Sequence, residues 1–206
     1  MQGRAVLPHS DGICWYRVPM SDAPRGWQRP ALVSVLYLAM ASSGIVWANL
    51  RADDNVWRWE GKGPFAGPGL GLLLGFGVGI SFVLGSRFST HRYEWGRALH
   101  QELRARLGPM TNFEIFLLAG ASSLGEEIFF RGALFPATGI WLSSLIFALL
   151  HVGPKLRFLP WTVASFVAGV AFCLLFKWSG DLSGPVVAHF TVNLLNLRYL
   201  SVTDLR

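Results

Sequence analysis

"SLGEEIFFRG", residues 123–132, sets Glu126, Glu127 and Arg131 inside one of the most apolar regions of a 206-residue chain. The reading of this stretch decides the fold. The chain is 52% hydrophobic and 15% charged, against about 25% charged in soluble domains. The surroundings of these three charges therefore read as membrane rather than as the core of a soluble domain.

Outward from that stretch, apolar segments recur at 31–50, 66–85, 111–136, 139–152, 158–177 and 185–200. A helix crosses a bilayer in about 20 residues, so the expectation is an all-α, polytopic transmembrane helical bundle of about six spans, the fourth short. Residues 1–30 read as a polar N-terminal tail, lacking the apolar core of a secretory signal. Residues 31–206 read as one membrane domain, without an internal repeat.

Between the second and third spans, "HRYEWGRALHQELRARLG" (91–108) sets Trp95, Leu99, Leu103 and Leu107 on one helical face with basic residues around it. That pattern suits an amphipathic helix lying on the membrane surface; a short solvated helix is the alternative. The second span, "GPGLGLLLGFGVGISFVLG" (67–85), carries Gly-x-x-x-Gly spacing. Such spacing lets helices approach closely, within the monomer or at a dimer face, so it leaves the oligomeric state open.

The net charge of +6 is explained by topology rather than by nucleic acid. With a cytoplasmic N-terminus, thirteen Lys and Arg residues fall on the inner side and four on the outer, with Arg131 inside a span. The positive-inside rule then puts both termini in the cytoplasm. Cys14 and Cys173 are too few for a disulfide framework or a cysteine metal site, and both read as free thiols.

Residues four apart meet on a helix while neighbours diverge, so Glu127 faces Arg131 and Glu126 points elsewhere. Its face carries Ala119, Ser122, Ser123, Phe130 and Ala133, mostly small residues. A carboxylate in mid-membrane costs at least about 2.5 kcal/mol and usually faces a polar cavity or partner. The partners follow from depth. If the chain reverses in "PATG" (136–139), Glu126 lies twelve residues before Thr138 and His151 thirteen after it, roughly 18 and 20 Å along antiparallel helices. His151 follows Phe147 by four residues, on the same face. The last span adds His189, Asn193 and Asn196 at i, i+4 and i+7. Read alone, this stripe fits interhelical hydrogen bonding as well as it fits an active site.

Together these residues suit hydrolysis. Glu126 can act as general base toward a water also held by His151, and N–H groups of His189 and Asn193 can stabilise an oxyanion. Three segments, "EEIFFR" (126–131), "FALLH" (147–151) and "HFTVN" (189–193), resemble in order the Glu-Glu-x-x-x-Arg, Phe-x-x-x-His and His-x-x-x-Asn motifs of the CPBP intramembrane protease family. That family includes CAAX prenyl endopeptidases, bacterial relatives linked to bacteriocin processing and self-immunity, and proteases proposed to act on C-terminal sorting segments.

The resemblance covers roughly residues 111–200. It implies a glutamic-type endopeptidase with Glu126 and His151 activating water, His189 and Asn193 forming the oxyanion site, and Glu127 and Arg131 in support. Asn196 and Phe147 are further candidates for the pocket lining. It implies no cofactor or catalytic metal, a membrane-associated protein or peptide as substrate, and a multi-pass protein of a bacterial cell membrane. Two rivals stay open. One is a zinc-dependent hydrolase using Glu126, His151 and His189, although the chain lacks His-Glu-x-x-His. The other is a non-catalytic immunity or scaffold protein of the same fold.

Overall fold

The computed structural model describes residues 28–52, 55–59 and 68–205; most of the expected N-terminal tail, Cys14 included, lies outside them. Seven α-helices follow in chain order: α1 (Gln28–Leu50), α2 (Pro68–Arg92), α3 (Glu94–Leu107), α4 (Asn112–Glu127), α5 (Phe135–Leu149), α6 (Leu159–Ser179) and α7 (Ser183–Val202). A π-helical segment, Ile128–Leu134, joins α4 to α5, and a single 3₁₀ turn, Leu156–Phe158, precedes α6. No strand is present among the described residues, as expected of an all-α bundle.

Four helical stretches are long and apolar enough to cross a bilayer: Ala31–Leu50, Gly69–Arg92, Asn112–Leu149 and Leu156–Ser179. The protein is a multi-pass membrane protein. The third stretch covers 38 residues and contains both the third and the fourth expected spans. It is broken at Gly139, whose φ of 81° and ψ of 175° belong to a region open to glycine but closed to other residues. The chain turns back there. An unbroken helix would hold residues 126 and 151 about 37 Å apart, yet their side chains meet within 4.0 Å. Helix α7, at 20 residues, is long enough to span, but its polar stripe sets it apart from the four most apolar stretches.

Local chemistry accounts for the helix ends nearest the site. Thr111 opens α4 with a capping box: its hydroxyl accepts from the Glu114 N–H (3.2 Å), and the Glu114 carboxylate accepts from the Thr111 N–H (2.6 Å). Helix α3 closes α7. His100 Nε2 bonds the Thr203 carbonyl at 3.0 Å, and Arg104 Nη1 donates to the Ser201 carbonyl at 2.9 Å and also to that of Leu200. These contacts satisfy carbonyls that a helix C-terminus leaves without partners and set positive charge against its negative end. On the amphipathic face predicted from sequence, Trp95 and Leu107 are exposed while Leu99 and Leu103 are half-buried.

The polar helix α7 is wrapped by α2, α4 and α6, with α3 at its end. Its approach to α2 depends on glycine. A Cβ on Gly75 would sit 2.2 Å from the Gly184 carbonyl oxygen, and one on Gly79 would sit 2.8 Å from the Ala188 oxygen. The Gly-x-x-x-Gly row thus packs inside the monomer. Beside α7, Phe172 and Leu175 of α6 join Ala188 in a buried cluster with Val78 and Phe82 of α2.

This packing gives a paired prediction. Gly75→Ala forces α2 away from α7 and costs about 1–3 kcal/mol or more through overpacking. Gly77→Ala, where a Cβ meets nothing within 4 Å, leaves stability unchanged or slightly raised. Thermal unfolding of the two variants in the same detergent measures the difference.

Candidate active site

Three elements bring the charged residues together. At the end of α4, Glu126 and Glu127 leave the helix in different directions, as neighbours on a helix must. The backbone then widens into the π-helical segment, which closes with the Phe135 N–H donating to the Phe130 carbonyl five residues back. Such insertions are rare and often found at functional sites. Arg131 lies within it.

Glu127 is fully buried and Arg131 is 1% exposed. Arg131 Nη1 donates to Glu127 Oε1 at 2.9 Å, and His189 Nδ1 meets the same oxygen at 2.7 Å. Arg131 also reaches toward the Gly169 carbonyl at 3.4 Å. Its guanidinium lies 4.4 Å from the centre of the Phe147 ring and 5.1 Å from that of Phe172, where ring quadrupoles favour a cation. Lipid cannot solvate an ion, so the cluster carries its own counter-charges and aromatic walls. Glu127 Oε2 and Arg131 Nε nonetheless have no hydrogen-bond partner among the described residues.

Glu126 occupies the other side. Its Oε2 lies 3.9 Å from His189 Nε2 and 4.0 Å from His151 Nε2, and has no direct hydrogen-bond partner among the described residues. The partners of the opposite ring nitrogens assign both tautomers. His151 Nδ1 sits 2.7 Å from the Phe147 carbonyl, an acceptor only, so Nδ1 carries the proton. The Glu127 carboxylate, likewise an acceptor, takes a hydrogen bond from His189 Nδ1–H. Nε2 of each ring is therefore the atom turned toward Glu126. The two gaps exceed hydrogen-bond length and are of the size that a bridging water spans.

His151 lies two residues beyond α5, and its bond to Phe147 satisfies one of the last carbonyls of that helix. The Thr162 hydroxyl donates to the His151 carbonyl at 2.9 Å, and the Trp161 ring packs edge-on against the imidazole with centroids 5.2 Å apart. Further along, Lys155 Nζ bonds both oxygens of Glu102 on α3, at 2.8 and 3.0 Å. That hydrogen bond, with the nearby charges of Lys155, Arg157 and Arg106, holds Glu102 below its ordinary carboxylate range against the opposing effect of burial.

A cavity of about 260 Å³ opens onto this place, lined by Tyr37, Met40, Glu126, Leu150, His151 and Trp161. The structure thus brings Glu126, His151 and His189 together, with Glu127 and Arg131 behind His189 and Phe147 packed among them. Asn193 lies one turn along α7 from His189, and its Nδ2 donates to Ser122 Oγ on α4 at 2.8 Å. Asn196 is engaged elsewhere: its Oδ1 accepts from Arg87 of α2 at 2.8 Å. Sequence reasoning did not single out Tyr37 or Trp161. A tyrosine within the first span was the available signal, but nothing in α1 names its partner. Among the described residues, no group of three His, Cys, Asp or Glu side chains is arranged to hold a metal ion.

Residues 109–195 match the family model described as type II CAAX prenyl endopeptidase Rce1-like. This segment is similar to the Rce1-like family. It contains Glu126, Glu127, Arg131, His151, His189 and Asn193, whereas α1 with Tyr37 lies outside it. The chain is also 36% identical over 109 residues to a Bacillus subtilis (strain 168) protein described as "Uncharacterized protein YpbD". That similarity covers 52% of this chain and 53% of the relative, so the chain spans about half the length of the curated relative it matches. No solved structure matches significantly.

The buried cluster yields a stability prediction. Arg131→Met leaves the Glu127 charge uncompensated and costs about 3–5 kcal/mol, whereas the Glu127→Gln/Arg131→Met pair recovers much of that loss by removing both charges. Equilibrium unfolding in mixed micelles checks the expected non-additivity.

Proposed function

We propose that the protein is an intramembrane endopeptidase that hydrolyses a peptide bond in a membrane-associated protein or peptide. One observation carries this reading: Glu126 Oε2 stands 3.9 and 4.0 Å from two imidazole Nε2 atoms beside a cavity that is apolar on one side. A water at the meeting point of these groups hydrogen-bonds to His151 Nε2 and gives a proton to Glu126 as it attacks the substrate carbonyl. Glu126 then delivers that proton to the leaving amine, so the base of the first half-reaction is the acid of the second.

The negative charge that develops on the carbonyl oxygen needs donors. His189 supplies one when its Nε2 carries a proton, its ring held in place by the Glu127 carboxylate at 2.7 Å. With His189 charged, Glu126, Glu127, Arg131 and His189 sum to zero, which suits a site that lipid surrounds. Asn193 supplies the second donor. Its amide has two N–H bonds, of which Ser122 occupies one.

The substrate class follows from the lining. Met40, Leu150 and Trp161 accept apolar side chains next to the polar groups, consistent with an extended segment that leaves the membrane near His151. C-terminal sorting segments and CAAX-like termini are of this kind. The distribution of Lys and Arg supports a chain with both ends on the cytoplasmic side and, together with the family, a place in a bacterial cell membrane.

Glu126→Gln keeps the shape and removes the base. Cleavage of a membrane peptide substrate by the purified variant falls about 10²- to 10⁴-fold while the protein stays folded. Retained cleavage overturns the assignment of Glu126 as base, and an unchanged cellular phenotype in the absence of cleavage favours a binding protein. Stoichiometric zinc in the purified protein, with activity lost to a chelator, replaces the glutamic mechanism by a metal-dependent one.

A further inference from the structure

Helix α1 lies outside the Rce1-like segment, yet it contributes to the wall of the site. Tyr37 is the seventh residue of the 20-residue span Ala31–Leu50, about 9 Å inside the helix at its usual rise. Tyrosines in membrane proteins concentrate at the interfaces, where the hydroxyl reaches water; a buried phenol needs a partner instead. Here the side chain lines the same cavity as Glu126 and His151, and it stands close enough to the Glu126 carboxyl for the two groups to interact.

The backbone is shaped for this contact. Gly125, the residue before Glu126, packs directly on Tyr37: a Cβ there would stand 2.7 Å from the Tyr37 carbonyl oxygen and 2.8 Å from its Cβ. About two turns along α1, a Cβ on Gly44 would lie 3.0 Å from Phe129 Cα. Two glycines, one on each partner, thus bring α1 against α4 and the π-helical segment at the depth of the glutamates. The Glu126 carboxylate has two oxygens. Oε2 faces the imidazoles without a direct partner, which leaves Oε1 for the phenol.

We propose that Tyr37 is a positioning residue that holds the Glu126 carboxylate with one oxygen aimed at His151 and His189, extending the working site onto α1. The inference rests on the endopeptidase reading, because it assigns Tyr37 a part in the base's orientation. The carboxylate otherwise has rotational freedom about its last side-chain torsion, which is broad and roughly two-fold. A phenol donor at one oxygen selects the rotation that turns the other to the water site. Glu127 does not need such help, since Arg131 and His189 already fix its Oε1.

Tyr37→Phe preserves the ring and removes the donor. With the full-length protein in lipid vesicles and a cleaved peptide substrate, kcat falls about 10- to 100-fold, the range for losing a hydrogen bond to a charged group, while KM stays within about twofold. Isotope-edited infrared spectra of Glu-labelled protein, with the Glu126 band assigned by difference from Glu126→Gln, show that band moved in Tyr37→Phe. A wild-type kcat overturns the proposal, as does a loss of rate with the Glu126 band unmoved, which marks a purely structural effect. Full activity in Glu126→Gln instead removes Glu126 from the role of base on which the inference rests, and the band shift still reports whether Tyr37 holds the carboxylate.

Discussion

A buried carboxylate bonded at once to an arginine and a histidine constrains everything around it. Glu127 Oε1 takes hydrogen bonds from Arg131 at 2.9 Å and from His189 at 2.7 Å, in a place where neither water nor lipid offers a substitute. An ion pair removed from solvent repays its desolvation only with close geometry and further hydrogen bonds. The bundle supplies both. The aromatic rings of Phe147 and Phe172 lie against the guanidinium, and α7 must pass close beside α4 to present His189. The glycine row of α2 then lets α7 sit deep enough to be enclosed.

From this arrangement the two glutamates acquire opposite characters. Glu127 is immobilised by strong partners and fully buried, so its chemistry is spent on orienting His189. Glu126, one residue earlier, keeps an oxygen without a direct partner at similar distances from two imidazoles. The adjacent residues diverge because a helix turns by about 100° per residue, and the π-helical segment that follows carries Arg131. One pair of identical side chains thus provides one carboxylate fixed by strong partners and one with an oxygen turned to two imidazoles.

Much of this was legible in the sequence because it depends on spacing. The i, i+4 relation predicts the Glu127–Arg131 bond, and the reversal near Thr138 predicts the meeting of Glu126 with His151, with Gly139 supplying the break. The π-helical register was not legible, since a hydrogen-bond shift of one residue leaves no mark on apolar periodicity. Asn196 shows the limit of a shared face. Seven residues beyond His189 it has moved about 10 Å along the axis, into reach of Arg87 rather than of the glutamates. The capping of α7 by His100 and Arg104 was hidden for another reason: it joins residues about a hundred positions apart, and no local pattern announces it. Tyr37 stood in plain view, but a helix pattern cannot say which neighbour a lone phenol will meet.

The central claim is the convergence of one carboxylate with two imidazoles inside the bilayer. Solid-state NMR of the protein in lipid, with ¹³C in the Glu126 carboxyl and ¹⁵N in the histidine rings, measures it through dipolar couplings. The account predicts a coupling from that carbon to Nε2 of both His151 and His189, in keeping with oxygen–nitrogen distances of 4.0 and 3.9 Å. Couplings absent to both rings, with Glu126 in contact with acyl chains, contradict it.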